Sequence, residues 1–318
     1  MLDIKFIREH VEDVRKNLER RRASVNLEEV LDVDQRRLSL LKEVEELRRK
    51  RNEIADRMKG ASAEERPNLI EQGKTLKQRL IEREHALEEL EIRWRDLWLR
   101  IPNMTHPDVP SGASDEENKE IKRVGERKKL EFLPLSHVEL GKKIDGLDFE
   151  RGAKVAGAKF YFIKGKLALL EQALIQFALK ELVAEGYTPV ITPDVAKDDI
   201  LIGAGFQPRG PEAQVYSIEG TDLSLVGTAE IPLGGLHKDE ILEEDRLPLR
   251  YVGLSHCFRT EAGTYGRESY GLYRVHQFKK VEMFLFAAPW QSEALHEELR
   301  MLEERIFTKL GIPFRVVD

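Results

Sequence analysis

The chain has 318 residues, of which 35% are charged and 41% hydrophobic, and its formal net charge is −6. This length is enough for two domains with a sizeable core, and the negative charge argues against nucleic-acid binding by the whole surface, so RNA would need a local basic patch. The single cysteine, Cys257, excludes an intrachain disulfide and a cysteine-based zinc site. No apolar run has the length of a membrane span, and the charged N-terminus lacks a signal-peptide core, so we expect a cytoplasmic protein without membrane contact.

The first part of the chain has helical periodicity. Apolar spacing over 3–22 predicts one amphipathic helix, with Asp3 as its N-cap. From about residue 30 to 101, apolar residues recur at steps of three and four in two arms, which a break at 59–67 separates. This pattern predicts an antiparallel coiled-coil hairpin with arms on the order of 40 Å long. Arg37 and Arg51 fall on seam positions, where we expect them to be splayed or paired.

The charge of the hairpin is uneven. The part of the first arm next to the break is basic, and the second arm is rich in glutamate. The basic residues of interest are Arg48, Arg49, Lys50 and Arg57. Taken alone, this pattern favours an ordinary solvated coiled coil with ion pairs between its arms. The other interpretation is an arm that follows the phosphates of a nucleic acid.

The middle of the chain is first polar and then alternates helix with strand. Residues 102–135 contain four prolines and a polar centre, which predict a linker. We then expect a short helix, a loop and a strand at 160–163, followed by a long helix and a strand at 187–191. Gly186 suits the end of that long helix. The residues expected to be buried on it are Leu167, Leu170, Leu174, Phe177, Leu182 and Val183.

A strand and a tight turn at Gly227 precede the sequence Thr228-Ala229-Glu230. By itself, Thr228 is a plausible N-cap for a helix that contains the next two residues. After 290–309, which reads as an amphipathic helix, Gly311 ends the helix and a last strand begins.

Residues 249–286 read as two strands joined by a glycine-containing segment, 262–271, which we expect to be a mobile loop. Side chains alternate faces along a strand, so one face carries polar and aromatic groups and the other is apolar. The first set contains Arg259, Glu261, Arg274, Phe278 and Glu282. Arginine binds phosphate oxygens, an aromatic ring stacks on a base and a carboxylate holds an ammonium group. The set could therefore hold a nucleotide beside an amine, although a solvated sheet face is an equal alternative on spacing alone.

The residue sequence of this segment resembles a known motif. FRTE at 258–261, followed by RVHQFKKVEMF at 274–284, resembles motif 2 of class II aminoacyl-tRNA synthetases, in the form found in the seryl-tRNA synthetase family. A long helix and a strand ending at Pro193 resemble motif 1, which implies a homodimer. TAEIPL at 228–233 resembles the serine-binding loop of the family, and the hairpin resembles its N-terminal arm, which holds the long variable arm of tRNA.

The resemblance implies an α+β fold: an N-terminal antiparallel coiled-coil hairpin, then a class II synthetase-like antiparallel β-sheet domain flanked by helices. The expected division is an arm at 1–101, a linker at 102–135 and a catalytic domain at 136–318. No GxGxxR-type stretch follows residue 286. We therefore expect a catalytic domain that is C-terminally incomplete and lacks motif 3.

The resemblance also implies a reaction and the residues that perform it. ATP, with Mg²⁺, activates L-serine to seryl-adenylate, and the seryl group is transferred to the 3′ end of tRNA(Ser) and of tRNA(Sec). Arg259 is the expected catalytic residue. The expected ATP contacts are Arg259, Thr260, Glu261, Arg274, Val275 and Phe278. The expected serine contacts are Thr228, Ala229, Glu230 and Glu282, and the expected tRNA contacts are Arg48, Arg49, Lys50 and Arg57. No resident metal site and no DNA contact are expected.

Two alternatives to an active ligase remain at this point. A non-catalytic tRNA-binding homologue, or an inactive fragment, would fit the expected lack of motif 3. A coiled-coil scaffold unrelated to RNA fits poorly with the wording of 255–284. Among single residues, His256 and His276 are expected to be structural and Cys257 to be a small buried residue. Trp94 and Trp98 are expected to pack within the protein.

Overall fold

The structure is a computed structural model that describes residues 2–112, 114–206, 214–261 and 270–318. Its contacts divide the chain into two compact units, residues 1–119 and 120–317. The loop predicted at 262–271 lies outside the described residues except for Tyr270 and Gly271. Within the described ranges, no helix has both the length and the apolar character needed to cross a membrane.

The first unit begins with two short helices, α1 (Ile4–Glu9) and α2 (Val11–Arg20). The prediction of a single helix over 3–22 was wrong, because the backbone leaves helical geometry at His10, with φ −126° and ψ 43°. The predicted N-cap is confirmed, since Asp3 Oδ1 accepts from the Lys5 N–H at 2.7 Å. Both helices bury apolar residues against the two long helices that follow, in a cluster that contains Ile7, Val14, Leu18, Leu27, Val30 and Ile101.

Two long helices form the predicted hairpin, α3 (Leu27–Gly60) and α4 (Arg66–Leu99), each of 34 residues. At 1.5 Å per residue each is about 50 Å long, which exceeds the expected length. α3 begins at Leu27, before the heptad pattern, because Asn26 caps it there by accepting from the Glu29 N–H at 3.2 Å. Pro67 lies in the first turn of α4, as predicted.

The middle of the hairpin seam is apolar and buried. Val44, Leu47, Leu80 and Leu87 are buried there, with Leu40 and Leu76 packed against them. Of the two seam arginines, Arg37 is paired with Asp34 at 3.0 Å, whereas Arg51 is exposed. The apolar heptads therefore hold the two arms together, and the ends of the seam accommodate charge.

The second unit contains four small sheets and six helices in its described part. The helices are α5 (His137–Lys143), α6 (Phe149–Ala156), α7 (Gly165–Ala184), α8 (Asp198–Gly203), α9 (Glu230–Gly235) and α10 (Ser292–Lys309). The strands are β1 (Glu120–Val124), β2 (Leu147–Asp148), β3 (Phe162–Ile163), β4 (Thr188–Ile191), β5 (Val195–Lys197), β6 (Leu223–Leu225), β7 (Leu249–Phe258), β8 (Gln277–Phe286) and β9 (Phe314–Val317). Three sheets are antiparallel pairs, β1–β9, β2–β3 and β5–β6. The segment predicted as a linker thus contains β1.

The central sheet has the order β4–β7–β8 and confirms the α+β class. Its strands are not all antiparallel: β4 runs parallel to β7, whereas β7 and β8 form an antiparallel hairpin. On one face of this sheet, Val252, Val281, Met283 and Leu285 pack with residues of α7 and α10 in one core. That face is the apolar face that the alternation predicted.

Helix α7 packs on this core with fewer of its apolar residues than predicted. Leu182 is buried, and Leu167 and Phe177 are half-buried. The prediction was wrong for Leu170, Leu174 and Val183, which are exposed by 52%, 42% and 45%. The face in contact with the sheet instead contains Ile175 and Leu179, so a second apolar stripe on α7 faces away from it.

Candidate functional site

The register of β7 and β8 decides which side chains share a face. Gly253 pairs with Glu282, Ser255 with Lys280 and Cys257 with Phe278. Directly paired residues of an antiparallel ladder point to the same side, so these polar and aromatic groups lie on the face opposite the apolar core. Helix α9 covers part of this face. A Cβ at Gly253 would lie 2.8 Å from Ala229 Cβ, so only glycine permits this close approach.

Arg259 follows the last residue of β7. Its backbone and its side chain both form hydrogen bonds, and its guanidinium contacts an aromatic ring. Its backbone N–H donates to the His276 carbonyl at 3.0 Å, and its own carbonyl accepts from His276 Nδ1 at 2.9 Å. The side-chain Nε donates to the Gly227 carbonyl at 3.2 Å, and Cζ lies 5.2 Å from the centroid of the Phe278 ring. The cation expected to bind phosphate therefore lies beside the ring expected to stack on a base.

The other expected ATP contacts lie next to Arg259. Arg274 Nη1 donates to Glu261 Oε2 at 2.9 Å, and the carboxylate side chain is only 11% exposed. Glu261 has a positive φ of 48°, so its backbone is in the left-handed region. The Thr260 N–H donates to the Gln214 carbonyl at 3.1 Å, and Val275 is buried. The contact between Arg274 and Glu261 thus brings together the residues on either side of the predicted loop.

The expected serine contacts form a second group. The Thr228 hydroxyl donates to Glu282 Oε2 in a short hydrogen bond and accepts from the Glu230 N–H at 3.2 Å. Lys280 joins this group: its Nζ donates to Thr228 Oγ1 at 3.0 Å and lies 2.8 Å from Glu282 Oε1. The prediction of Thr228 as the N-cap was wrong, because α9 begins at Glu230 and Ala229 is its N-cap. Thr228 instead lies one residue before the cap and connects the start of α9 to β8. Ala229 is fully buried.

Lys280 offsets part of the negative charge of Glu230 and Glu282 in this second group. Burial raises the pKa of Glu230, and the nearby negative charge of Glu282 raises it further, whereas the positive charge of Lys280 lowers it. Burial also raises the pKa of Cys257, which is fully buried with its Sγ 3.3 Å from Ser255 Oγ. The predicted inert role of this cysteine agrees with that environment.

The two histidines of the hairpin have structural partners. His276 Nδ1 contacts the Arg259 carbonyl, as described above, and its ring lies 5.3 Å from that of Phe160. His256 lies on the opposite face of β7, with Nδ1 3.0 Å from Asp194 Oδ2. Both arrangements match the structural roles predicted for them.

One unpredicted contact lies where the described chain resumes at Tyr270. The Leu272 N–H donates to His137 Nε2 at 2.9 Å, and the rings of Tyr270 and Tyr273 approach His137 edge-on. Gly271 has a φ of +63°, and a Cβ there would lie 2.1 Å from His137 Nε2. The start of α5 therefore fixes the segment that leads into β8.

The basic residues of the hairpin differ in their surroundings. Both Nε and Nη2 of Arg48 donate to Glu84 Oε1 across the arms, at 2.9 and 2.7 Å, and Arg49 lies 3.8 Å from Glu53. Lys50 and Arg57 line an open groove of about 470 Å³ between the two arms. Ion pairs between the arms, one of the two interpretations of the pattern, are thus present at Arg48. Lys50 and Arg57 remain available to a partner.

Three residues of the site had no predicted role: Lys280, Gly227, whose carbonyl holds Arg259, and His137. A signal existed for Lys280, because residues two apart on a strand share a face, which puts it between Phe278 and Glu282. No such signal existed for the other two, since their contacts join distant parts of the chain. Among the described residues, no group of three His, Cys, Asp or Glu side chains is placed to hold a metal ion.

Comparison with known proteins finds relatives of both parts of the chain. Residues 1–105 match the seryl-tRNA synthetase N-terminal domain, and residues 215–318 match the tRNA synthetase class II core domain (G, H, P, S and T). The serine–tRNA ligase of Treponema denticola is 50% identical over 319 positions, which cover 100% of this chain and 76% of that protein.

Two solved structures share the fold along the whole chain. The seryl-tRNA synthetase from Pyrococcus horikoshii complexed with ATP has a TM-score of 0.85 at 38% identity, and 76% of it is covered. The cytoplasmic serine–tRNA ligase from Naegleria fowleri in complex with AMP has a TM-score of 0.80 at 28% identity, and 74% of it is covered. With half of its residues identical to a relative that it covers by about three quarters, this chain belongs to the seryl-tRNA synthetase family.

Proposed function

We propose that this protein is a serine–tRNA ligase that activates L-serine with ATP. The reaction takes place on the face of β7 and β8 that is opposite the apolar core. One observation supports this above all: the β7–β8 register and α9 place an arginine–aromatic pair and a carboxylate–hydroxyl group on a single face. The first pair suits the phosphate and base of a nucleotide, and the second suits an amino acid with donor groups. The relatives named serine–tRNA ligase favour this function over a non-catalytic homologue.

The spacing of the two groups fits the intermediate. Phe278 and Glu282 are four residues apart on β8, so they lie about 14 Å from each other along the strand. An extended seryl-adenylate, with its base at one end and its amino group at the other, needs a distance of this order.

In the first step, a carboxylate oxygen of serine attacks the α-phosphorus of ATP, and pyrophosphate leaves. Arg259 holds the α-phosphate and stabilises the charge that develops on it. Phe278 stacks on adenine, and Glu261, Thr260, Val275 and Arg274 complete the ATP site. Because little proton transfer is needed, positioning and charge neutralisation provide most of the rate enhancement.

Serine is held by the second group. Thr228, Glu230 and Glu282 receive its ammonium and hydroxyl groups, and the buried Ala229 shapes the wall of the pocket. A site that hydrogen-bonds the hydroxyl rejects alanine, because a buried carboxylate without its partner is costly. We propose that ATP is bound as its Mg²⁺ complex, since phosphate oxygens are good ligands for this ion.

In the second step, the terminal ribose hydroxyl of tRNA attacks the carbonyl of seryl-adenylate, and AMP leaves. We propose that the hairpin holds the long variable arm of tRNA(Ser), and of tRNA(Sec), through Arg48, Arg49, Lys50 and Arg57. Lys50 and Arg57 support this proposal most directly, because both line the groove between the arms. Since these substrates are those of translation, we infer a cytoplasmic location.

We also propose a homodimer built on the exposed stripe of α7. Leu170 and Leu174 lie one turn apart on this helix and are 52% and 42% exposed, and Ile191, at the end of β4, is 85% exposed. Apolar side chains this exposed mark an interaction surface when they are contiguous. Light scattering should give the mass of two chains, and Leu170→Glu should reduce it to one. A monomeric wild type would contradict this proposal.

Serine-dependent exchange of pyrophosphate into ATP tests the proposed function. The assay uses the full-length protein, with L-serine, L-alanine or L-threonine as the amino acid. We expect exchange with serine at least about a hundredfold faster than with alanine. Exchange that is absent, or equal for the three amino acids, would overturn the proposal. tRNA binding without exchange would indicate a non-catalytic homologue.

A further inference from the structure

Lys280 is a cation inside the proposed serine pocket. It lies on β8 between Phe278 and Glu282, and its side chain is 34% exposed. Its Nζ donates to Thr228 Oγ1 at 3.0 Å and lies 2.8 Å from Glu282 Oε1. The lysine therefore contacts two of the groups that are proposed to receive the substrate, while its own part in the reaction is unassigned.

The hydrogen bonds at Thr228 fix the direction of its hydroxyl proton. A hydroxyl has one proton to donate and two lone pairs that accept. Here the lone pairs accept from Lys280 Nζ and from the Glu230 N–H, both of which can only donate. The proton must then point to Glu282 Oε2, with which Thr228 forms its short hydrogen bond. Without Lys280, one lone pair would lose its donor, and only Glu282 and the Glu230 N–H would still orient the hydroxyl.

The charges of the pocket also depend on Lys280. The negative charge of Glu282 raises the pKa of Glu230, and Lys280 is the neighbouring cation that lowers it. Lys280 Nζ also lies 2.8 Å from Glu282 Oε1, so it fixes one side of this carboxylate. Carboxylate oxygens accept hydrogen bonds, which is what the ammonium and hydroxyl of serine require.

We propose that Lys280 is a positioning residue for the amino-acid substrate: it directs the Thr228 hydroxyl towards Glu282 and holds the Glu282 carboxylate in place to accept hydrogen bonds from serine. This inference rests on the proposed function and adds a specificity-determining residue to it. The lysine acts through its two neighbours. Its loss should therefore weaken serine binding and the preference for serine over alanine, but should leave ATP binding intact.

The chain provides a matched control in the next residue. Lys279 lies on the opposite face of β8 and pairs with Glu171 at 2.6 Å. Lys279→Met and Lys280→Met thus make the same chemical change one residue apart on the same strand. Lys280→Arg retains the charge with a different geometry, and Lys280→Gln provides a second neutral variant if the methionine variant does not fold.

The experiment measures L-serine binding by calorimetry, and the KM values for serine and ATP by exchange, on the full-length protein. For Lys280→Met we expect the serine constants to rise at least about tenfold and the KM for ATP to stay unchanged. The acid limb of kcat/KM for serine should move to higher pH, because Glu230 loses the neighbouring positive charge that lowers its pKa. Lys280→Arg should retain most of the affinity and the original pH profile, and Lys279→Met should resemble the wild type.

The outcomes separate this inference from the proposed function. If the wild type binds serine and folded Lys280→Met binds it equally well with the same pH profile, the inference alone is wrong. An equal rise in the constants for serine and ATP would also overturn it, because that result indicates general damage to the sheet. If the wild type itself does not bind serine, the proposed function falls and the inference with it.

Discussion

The guanidinium of Arg259 lies over the ring of Phe278, with Cζ 5.2 Å from the ring centroid. This contact joins the end of β7 to the start of β8, and it places the proposed phosphate ligand beside the proposed base platform. A nucleotide stacked on the ring therefore has its phosphates within reach of the arginine. Substitution of Arg259 should mainly lower the rate of the reaction, whereas substitution of Phe278 should mainly weaken ATP binding.

Arg259→Ala should lower serine-dependent exchange by at least about a hundredfold, because the charge that develops at the α-phosphate loses its main partner. tRNA affinity should remain unchanged, since the hairpin is untouched. Exchange kinetics and filter binding measure the two effects. Arg127→Ala, an exposed arginine of the same unit, is the control. Loss of both activities together would count against the role assigned to Arg259.

Phe278→Leu should raise the KM for ATP by about tenfold, because stacking on a base is worth about 1–3 kcal/mol. The KM for serine should change little, as the serine group lies further along β8. Phe278→Tyr retains a ring and should retain the affinity for ATP. Steady-state exchange over a range of ATP concentrations checks this. An unchanged KM in the leucine variant would remove Phe278 from the adenine site.

Glu230→Gln should stabilise the fold at neutral pH while it weakens serine binding. The folded pKa of Glu230 is raised above its ordinary value, by burial and then by the negative charge of Glu282. The protonated form therefore favours folding, and this contribution, fully present below the unfolded pKa, is lost as the pH rises through the folded pKa. The amide is always neutral, so its advantage should be present at pH 7 and vanish near pH 4. Thermal unfolding at both pH values measures it, and an equal advantage at both would contradict the assignment.

Lys50→Ala and Arg57→Ala should each weaken tRNA binding and reduce the dependence of log affinity on log salt concentration by about one unit. Arg48→Ala should have a smaller effect, because Glu84 already balances its charge across the arms. Serine-dependent exchange should be unaffected in all three variants. Arg36→Ala is the control, since this arginine pairs with Asp32 in the half of α3 far from the tip. Equal effects at positions 36 and 57 would argue against a local RNA contact.

Asp34→Asn should destabilise the first unit by about 3 kcal/mol, the lower end expected for breaking a buried ion pair. Asp34 is only 2% exposed and contacts Arg8 at 2.6 Å and Arg37 at 3.0 Å, and Arg8 keeps part of its hydration. Arg37 in turn lies 4.3 Å from the Trp94 ring centroid, so tryptophan fluorescence during urea unfolding reports on this network.

Asp32→Asn serves as the matched control for that measurement. Asp32 lies two residues before Asp34 on α3 and forms an exposed pair with Arg36. Exposed pairs contribute little to stability, so the unfolding midpoint should hardly move. Equal losses in the two variants would show that burial of Asp34 is not the cause.

Much of the candidate site was predictable because strand alternation is a local rule. The period of two assigned Arg259, Phe278 and Glu282 to one face before any register was known, and the register of β7 and β8 agrees. The apolar face was predictable for the same reason. The heptad pattern likewise predicted the hairpin, although it did not predict the Asn26 cap that lengthens α3. The helix over 3–22 failed because its apolar spacing continues through His10, where the backbone turns.

The sequence by itself determined most helices and strands, most of their buried faces and the family. These follow from periodicity and from motifs within short stretches of the chain. The tertiary structure alone decided which groups meet across long separations in the chain: Lys280 with Thr228, Arg259 with the Gly227 carbonyl, His137 with Leu272, and Arg48 with Glu84. Hydrogen bonds and ion pairs form within a few ångströms, so they depend on how the elements pack. Periodicity along the chain carries no information about those distances.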